Sequence, residues 1–345
     1  MLQDILDTTT INEWHNLIDQ AKTITICAHS SPDGDAVGSS LGLKDYLQAQ
    51  GKTVNIVLPN VFPDFLRWLP GTQEIIFFNT HTDKALQVIE QSNLIICLDF
   101  NDFSRIGLLG EHIASRDCPF ILIDHHLDPK LPAKICISHP EMCATSEIIF
   151  HLIWQLGGYD ALSKNAAIAI YTGMMTDTGG FTYNSTRSEI YFIISELLKK
   201  GIDKDKIYRK VFNNYSRDRI KLMGYVLFKK LRFYRGLRAA VFTLTKEEMM
   251  RFHFLRGDAE GFVNMPLSVR GTLLSISLRE DTERPVIRVS LRSVDDFPCN
   301  KMAEEFFNGG GHLNASGGEL PAPMEEAMKT VDRAIEAYRP LLEIN

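Results

Sequence analysis

The sequence lacks the long apolar runs and leader segments that would place a chain in or across a membrane. No stretch of about 18 consecutive apolar residues, the length that a transmembrane helix needs, occurs in its 345 residues. Met1 is not followed by the basic and apolar regions of a secretory signal. Internal repeats and low-complexity tracts are absent too. We therefore expect a soluble, cytoplasmic protein of about two globular domains.

Cysteine is scarce and never closely paired. The six cysteines are scattered and form no CxxC motif. Cys27 and Cys97 lie inside apolar runs, where a free thiol behaves as a small hydrophobic group. The pattern is typical neither of a disulfide framework nor of a zinc knuckle.

Positive charge is also in short supply. The chain has 37 lysines and arginines against 43 aspartates and glutamates, a formal net charge of −6. Such a chain is not suited to coating long nucleic acid through bulk electrostatics. The balance remains compatible with a small anionic substrate that binds at a local positive site.

The first half of the chain alternates short apolar runs with helical patterns. Helices are predicted over 36–50, where Gly38 and Gly42 would allow close packing, and over 145–156 and 165–175. This order predicts crossover units and a mostly parallel sheet flanked by helices. The predicted buried strands are "TITICA" (23–28), "VNIVL" (54–58), "LIICL" (94–98) and "FILI" (120–123).

The second half predicts a smaller domain with a sheet of its own. Segments 239–244, 272–280 and 285–293 alternate with the period of two that is typical of strands. In the last of these, Arg288 and Arg292 share one face. We expect an α/β protein with a mixed second sheet and an active site in the cleft between the domains. The predicted divisions are a metal-carrying domain (1–198), a helical connector (199–230) and a substrate-binding domain (231–345).

Acidic residues and histidines follow three of the predicted strands directly. Because parallel strands end at one edge of a sheet, we expect these groups to meet there. Each alone has a structural alternative, such as a helix N-cap or a buried histidine. Taken together, four carboxylates at one edge require cations, and two divalent ions would balance their charge. The residues that follow strands are His29, Asp33, Asp35, Asp99, Asp124, His125 and His126, and Asp177 is a further acidic position after a helix.

The donor types indicate which ions and which chemistry. Oxygen and imidazole ligands without thiolate suit Mn²⁺ or Mg²⁺, with Co²⁺ or Fe²⁺ as alternatives. Two such ions roughly 3.5–4 Å apart generate a bridging hydroxide and clamp a phosphoryl group for in-line attack. The predicted chemistry is hydrolysis of a phosphoester or phosphoanhydride.

A glycine cluster in "FNGGGHLNASGG" (307–318) offers a second anion site. Closely spaced glycines let a ligand approach the backbone and its N–H groups. A plain loop is the alternative, and Arg288 and Arg292 on a nearby strand favour anion binding, because arginine matches phosphate oxygens with two parallel hydrogen bonds.

These motifs together resemble those of the DHH phosphoesterase superfamily with its DHH-associated C-terminal domain. "HSSPDGDAVGS", the aspartate of "CLDFND", "IDHH" and "TDTGGF" match four motifs of the first domain, and "GGGHLNASGG" matches the signature of the second. In length and connector, the chain resembles the bacterial nanoRNase and pAp phosphatase group. The match runs from about Thr23 to Gly318.

The resemblance implies roles for individual residues. It places one ion on His29, Asp33 and Asp99, and a second on Asp35, Asp99, His125 and Asp177, with Asp99 bridging. It implies that Asp124 orients a ligand histidine, that His126 contacts the scissile phosphate or assists the leaving group, and that Arg105 contacts the substrate. The implied substrate-binding residues are Asn264, Arg292, Ser293, Gly309, Gly310, Gly311 and His312.

The resemblance also implies a function. Relatives of this architecture release mononucleotides from short RNAs and dephosphorylate 3′-phosphoadenosine 5′-phosphate (pAp) to AMP, and they suggest a homodimer. Long nucleic acid and membranes are not expected partners. Alternatives left open are a phosphodiesterase for a cyclic dinucleotide or its linear product, an exopolyphosphatase or pyrophosphatase, and a nucleotide sensor without catalysis.

Overall fold

The computed structural model describes residues 2–255 and 257–343. The chain divides into two compact units between Asn214 and Tyr215. Among the described residues, no helix is both long enough and apolar enough to cross a bilayer.

The described residues of the first unit contain a six-stranded parallel sheet. The strand order is β3-β2-β1-β4-β5-β6, and every recorded pair runs parallel. This arrangement confirms the predicted α/β class. The strands are β1 (Thr23–Ala28), β2 (Thr53–Leu58), β3 (Ile76–Phe77), β4 (Leu94–Leu98), β5 (Phe120–Asp124) and β6 (Ile135–Ser138).

Helices cover both faces of this sheet. One face packs against α1, α2, α5 and α6, and the other packs against α3 and α4. Because both faces are covered, the strands are mostly apolar, and β4 is buried along its whole length. The helices are α1 (Thr8–Gln20), α2 (Gly34–Ala49), α3 (Thr82–Glu90), α4 (Leu108–Ala114), α5 (Thr145–Gln155), α6 (Lys164–Asp177), α7 (Ser188–Lys199) and α8 (Lys204–Phe212).

The second unit contains a mixed sheet. Its order is β11-β12-β10-β9-β8-β7, with β8 and β9 parallel and the other recorded pairs antiparallel. β10 alternates as predicted, since Ile287, Val289 and Leu291 are buried in the core. The strands are β7 (Arg232–Phe233), β8 (Ala239–Leu244), β9 (Leu274–Glu280), β10 (Val286–Ser293), β11 (Gly310–His312) and β12 (Ala315–Pro321).

Two helices of the second unit, α11 and α12, close one face of that sheet. α11 and α12 contribute Met302, Ala303 and Val331 to the core. The helices are α9 (Arg217–Tyr225), α10 (Lys246–Arg251), α11 (Cys299–Phe306), α12 (Met324–Ala337) and α13 (Arg339–Leu342), and a π-helical turn (Val226–Lys230) follows α9.

The segment predicted as a connector is shared between the units. α8 packs against the first unit, whereas Leu222 and Val226 belong to a small apolar cluster of the second, together with Phe242 and Phe262. The predicted three-part division stays a prediction. The glycine-rich segment is largely a hairpin of β11 and β12 rather than a loop.

Candidate metal centre

Three adjacent parallel strands bring the predicted metal ligands to one edge of the first sheet. β1, β4 and β5 are neighbours, so their carboxyl ends lie side by side. His29 directly follows β1, Asp99 directly follows β4, and Asp124 is the last residue of β5. The motif positions in the sequence therefore become neighbours in space because the strands are parallel.

One cluster at this edge contains His29, Asp33 and Asp99. The Nε2 atom of His29 lies 3.3 Å from Oδ2 of Asp99 and 3.7 Å from Oδ1 of Asp33. The candidate ligand atoms of all three lie within 4.8 Å of one another. His29 and Asp99 are buried and the side chain of Asp33 is half-exposed. This geometry suits three ligands of one cation.

A second cluster contains Asp35, His125 and Asp177, again with ligand atoms within 4.8 Å of one another. The Nε2 atom of His125 lies 3.7 Å from Oδ2 of Asp177 and 3.5 Å from Oδ1 of Asp99. The two oxygens of Asp99 therefore face the two clusters, Oδ2 toward His29 and Oδ1 toward His125. Asp99 therefore lies between the two clusters, with one oxygen toward each.

The structural alternatives for Asp33 also hold in part. One oxygen of Asp33 accepts from the backbone amides of Asp35 at 2.9 Å and Ala36 at 3.0 Å, so this residue caps α2. Capping fixes the start of the helix that carries Asp35 and leaves the carboxylate beside His29. A helix-capping role and a metal-binding role for Asp33 are therefore compatible.

Asp35 is held by a helix N-terminus that the sequence analysis did not assign to the site. Its carboxylate accepts from the backbone amides of Thr145 at 2.6 Å and Ser146 at 2.9 Å, in the first turn of α5. The Thr145 hydroxyl donates to Oδ1 of Asp99 at 3.1 Å. The available signal was the predicted helix start at 145, since helix N-termini stabilise anions.

Asp124 contacts His126 and is fully buried. Oδ1 of Asp124 and Nδ1 of His126 are 2.7 Å apart. The resemblance implied that Asp124 orients a ligand histidine, whereas here its hydrogen bond goes to the histidine beside the proposed ligand His125. The Nδ1 atom of His125 instead lies 3.3 Å from the backbone oxygen of Met142. Among the described residues, Oδ2 of Asp124 is buried without a hydrogen-bond partner.

The charges of the cluster conflict in a way that divalent cations would resolve. Burial, together with the charges of Asp99 and Asp177, raises the pKa of Asp35 well above its usual range. Burial and neighbouring carboxylates raise the pKa of Asp177 to about 7. Burial opposes ionisation of Asp99 as well, but His125 and His29 outweigh it and hold its pKa well below the usual range.

The histidines carry the compensating charge. Burial would lower the pKa of His29, yet Asp33 and Asp99 raise it well above its usual value. These carboxylates thus favour the protonated form of His29, and metal binding there would displace the proton. The donor set contains oxygen and imidazole and no thiolate, so these groups fit hard or borderline divalent ions.

Arg105 lies beside the first cluster through its backbone. It belongs to a 3₁₀ turn (Phe103–Ile106), and its carbonyl accepts from the backbone amide of Ser30 at 2.9 Å. Its side chain is exposed. The turn that carries Arg105 is therefore fixed against the loop that carries His29.

In the second unit, Arg292 and His312 share one face of the sheet. Both pair with Ala315 of β12, from its two sides, and directly paired residues point to the same face. Two positions along, Ser290, Gly317 and Gly310 form the next row of that face. This row has almost no side chains. Backbone that carries almost no side chains therefore lies beside Arg292 and His312.

The three glycines differ in what the fold requires of them. A Cβ on Gly309 would lie 1.8 Å from the backbone oxygen of Gly317, and one on Gly311 would lie 2.6 Å from that of Ala315. Close strand packing therefore explains both. A Cβ on Gly310 would meet only Cγ of Glu304, at 3.9 Å, so packing does not explain that glycine.

The other candidates of this unit have the following contacts. Ser293 is buried, and its hydroxyl donates to Phe297 O at 2.8 Å and accepts from Asn314 at 2.9 Å. Asn264 is half-buried in a 3₁₀ helix (Phe262–Ser268). Arg288 is ion-paired with Asp281 and Glu319, which leaves Arg292 as the arginine of this face beside His312.

Comparisons with known proteins agree with this architecture. The model of the DHH family N-terminal domain matches residues 23–174, and the model of the DHHA1 domain matches residues 248–338. A crystal structure of an exopolyphosphatase-related protein from Bacteroides fragilis has a TM-score of 0.94 and 52% identity, with 99% of both chains covered.

Two curated relatives have named activities. The bifunctional oligoribonuclease and PAP phosphatase NrnA of Thermus thermophilus is 30% identical, over 92% of this chain and 89% of its own length. The cyclic-di-AMP phosphodiesterase PdeA of Listeria monocytogenes is 25% identical over 93% of this chain, which spans 48% of that longer protein. The matched domains and these relatives establish that the chain belongs to the DHH family and is a DHH phosphoesterase with a DHHA1 domain.

Proposed function

We propose that this protein is a divalent-cation-dependent phosphoesterase that releases mononucleotides from short oligoribonucleotides and dephosphorylates pAp to AMP. The observation that carries the proposal is the position of Asp99, whose two oxygens face two separate three-residue clusters. A bridging carboxylate between two cation sites is the arrangement that phosphoryl transfer on two ions requires.

The proposed ligands are His29, Asp33 and Asp99 for one ion, and Asp35, Asp99, His125 and Asp177 for the other. Mn²⁺ is the proposed ion, with Mg²⁺ or Co²⁺ as substitutes, because the donors are oxygen and imidazole. When bound, two such ions supply an activated water nucleophile and neutralise charge on the phosphoryl oxygens.

We assign the proton chemistry to His126 and its positioning to Asp124. A carboxylate only accepts hydrogen bonds, so the contact at 2.7 Å keeps a proton on Nδ1 of His126. The opposite ring nitrogen, Nε2, is then set to contact the scissile phosphate. Arg105 would contribute a guanidinium to the same substrate, because its turn is fixed beside His29.

The second unit would bind another phosphate of the substrate. Arg292 offers a guanidinium and His312 an imidazole on one sheet face, and Gly310 leaves the backbone of the adjoining row open to a ligand. Gly309 and Gly311 shape this hairpin. Ser293 fixes Asn314 in the adjoining turn, and Asn264 is the remaining proposed contact.

The substrate class rests on the named relatives. The NrnA relative, matched over most of both chains, is an oligoribonuclease and PAP phosphatase. A cyclic-dinucleotide or linear-dinucleotide phosphodiesterase is the second candidate, because the matched part of PdeA includes nearly all of this chain.

The test is product release from pAp, an RNA dinucleotide and a 24-nucleotide RNA in Mn²⁺, with cyclic di-AMP and polyphosphate as further substrates. We expect the first two to be cleaved and the long RNA to remain. Asp99→Asn should lower kcat by more than a hundredfold, because changes outside the ligand shell already cost about 10–100-fold. Arg292→Ala should raise KM by about tenfold or more, since a charged hydrogen bond is worth about 1.5–3 kcal/mol.

Asp19→Ala and Arg333→Ala are matched controls, because both residues are exposed and outside the site. Both variants should retain wild-type kinetics. Turnover of polyphosphate or cyclic di-AMP with pAp and the dinucleotide left intact would reject the proposed substrates. Full activity of Asp99→Asn would reject the proposed metal site.

We also infer a homodimer in the cytoplasm. Tyr191 and Leu198 lie seven residues apart on α7, hence on one face, and both are exposed. A second copy covering this face would bury that apolar area. The mass in solution, measured by light scattering, decides between dimer and monomer.

A further inference from the structure

We propose that the first unit carries a second, non-catalytic site that binds a nucleoside phosphate in a basic groove. We define the basic groove by Arg67, Trp68, Lys206, Arg209 and Lys210, which line a cavity of about 550 Å³. Asp64 and Asn214 complete its lining. None of these residues belongs to the candidate metal centre.

Positive charge converges here in a chain whose net charge is −6. Arg67 pairs with Asp64, with Nε and Oδ1 2.6 Å apart. Within the part of the chain that the structure describes, no carboxylate oxygen is recorded within 4.0 Å of the charged nitrogens of Lys206, Arg209 or Lys210. The basic groove therefore holds three cations without a counter-charge in contact.

The electrostatics of α8 do not explain this arrangement. Cations in the last turn of a helix are favoured by its dipole, which accounts for Arg209 and Lys210. Lys206 lies in the first turn, where the dipole disfavours a cation. Arg67 comes from a different element, directly after a short 3₁₀ turn (Asp64–Leu66). An anionic ligand accounts for all four cations together.

Trp68 adds an aromatic group to the basic groove. The ammonium of Lys210 lies 5.2 Å from the centre of its ring, a contact that holds the lysine side chain at the groove. The indole Nε1 is buried without an acceptor among the described residues. The basic groove therefore combines an aromatic ring with cationic side chains.

The chemistry and size together indicate the ligand class. Guanidinium and ammonium groups match phosphate oxygens, and the indole offers an aromatic surface for a base. A volume of about 550 Å³ is far more than a phosphate ion needs and lies within the range of small-molecule sites. A nucleoside phosphate satisfies all three. It would be either a free nucleotide or a further nucleotide of a bound oligonucleotide.

The experiment counts AMP bound per chain by equilibrium dialysis in Mn²⁺, a measurement that needs no turnover. The triple variant K206Q/R209Q/K210Q removes the unpaired charges of the basic groove. The control K329Q/R333Q/R339Q removes three charges from α12 and α13, far along the chain. Parallel dialysis uses adenosine and inorganic phosphate, and kinetics use pAp and a five-nucleotide RNA.

For a free nucleotide, the groove variant should bind one AMP fewer per chain than wild type and control, with the KM for pAp within twofold. For an oligonucleotide, its KM for the RNA should rise at least fivefold while that for pAp stays constant. Equal AMP binding together with an unchanged KM for RNA would overturn the proposal. So would adenosine binding as tightly as AMP, because the cations would then have no role. Failure of wild type to cleave pAp or RNA would instead count against the proposed function.

Discussion

Asp99 adopts a backbone conformation that is uncommon for a residue with a side chain. Its φ is +62°, in the left-handed region that costs residues other than glycine about 1 kcal/mol or more. Its amide still donates to the Ile123 carbonyl at 3.1 Å, so the residue stays tied to β5. Strain is tolerated here because it places one carboxylate between two clusters.

A buried ion pair near the candidate metal centre fixes the start of α5. Glu147 is fully buried, accepts from the backbone amide of Cys143 at 2.7 Å and pairs with Arg187. Burial would raise the pKa of Glu147, but His151, the Cys143 amide and Arg187 together lower it below its usual 4.5. Since α5 also presents the amides that hold Asp35, this pair supports the site from outside.

We expect Arg187→Ala to destabilise the first unit by about 3 kcal/mol at pH 7, because it leaves a buried carboxylate unpaired. A pKa lowered by folding stabilises the protein above the unfolded value and loses that contribution as pH falls through the folded value. The gap between wild type and variant in urea unfolding should therefore be full at pH 7 and shrink below about 4.5.

Arg339→Ala is the control for that series. Arg339 pairs with Glu336 at the surface, where both side chains are largely exposed, and such pairs contribute about 0.2–1 kcal/mol. Two results would show that Glu147 does not depend on Arg187. One is a loss of unfolding free energy in Arg187→Ala no larger than in Arg339→Ala, and the other is a difference between wild type and Arg187→Ala that widens in acid.

At the scale of elements, α2 and α6 pack unusually closely. A Cβ on Gly38 would lie 2.5 Å from the backbone oxygen of Ala169, and one on Gly42 would lie 2.7 Å from Cγ1 of Ile170. The prediction that Gly38 allows close packing is confirmed. Because α2 begins at the Asp33 cap and α6 ends at Asp177, this packing sets the spacing of ligands from both helices.

Gly38→Ala should lower the free energy of unfolding by about 1–3 kcal/mol, because the overpacked atom is backbone and cannot rotate away. Gly224→Ala is the matched control, since this glycine is exposed in α9 and a Cβ there would meet nothing within 4 Å. That substitution should raise the free energy of unfolding by about 0.5–1 kcal/mol, because alanine has a higher helix propensity than glycine. Stabilisation by both substitutions would mean that the helices separate without cost.

Much of this architecture could be predicted because the central strands are largely apolar. β1 and β4 match the runs 23–28 and 94–98, and β8 matches 239–244. β3 has two residues, and the β11–β12 hairpin is rich in glycine, so neither carries a local strand pattern. These strands pair because they lie beside other strands of the sheet, and the periodicity of their own sequence does not indicate that pairing.

The site was predictable to the extent that strand ends determine it. His29, Asp99 and His125 follow strands with strong patterns, and parallel pairing brings them together. The hydrogen bonds of Thr145 to both Asp35 and Asp99 were not predictable, because they depend on where α5 packs against the sheet. The same is true of Asp124 contacting His126 rather than the adjacent histidine.

At the scale of the whole molecule, the proposed ions belong to only one of two compact units. Every proposed ligand lies before Asn214. A ligand that binds only the folded state stabilises what it binds, by about 2.7 kcal/mol at a hundredfold excess over Kd. Calorimetry of the full chain should therefore show one unfolding transition moved by Mn²⁺.

We expect the first unit's transition to rise by roughly 5–10 °C in saturating Mn²⁺, given about 2–4 °C per kcal/mol for a unit of this size. EDTA should reverse the shift. In Asp99→Asn the shift should largely vanish, because one substitution removes a ligand from both clusters, whereas Asp19→Ala should retain it. Gly224→Ala identifies the other transition, since it should move only the unit that contains α9. Equal movement of both transitions with Mn²⁺, or a full shift in Asp99→Asn, would mean that the stabilising ions bind somewhere other than the edge of the parallel sheet.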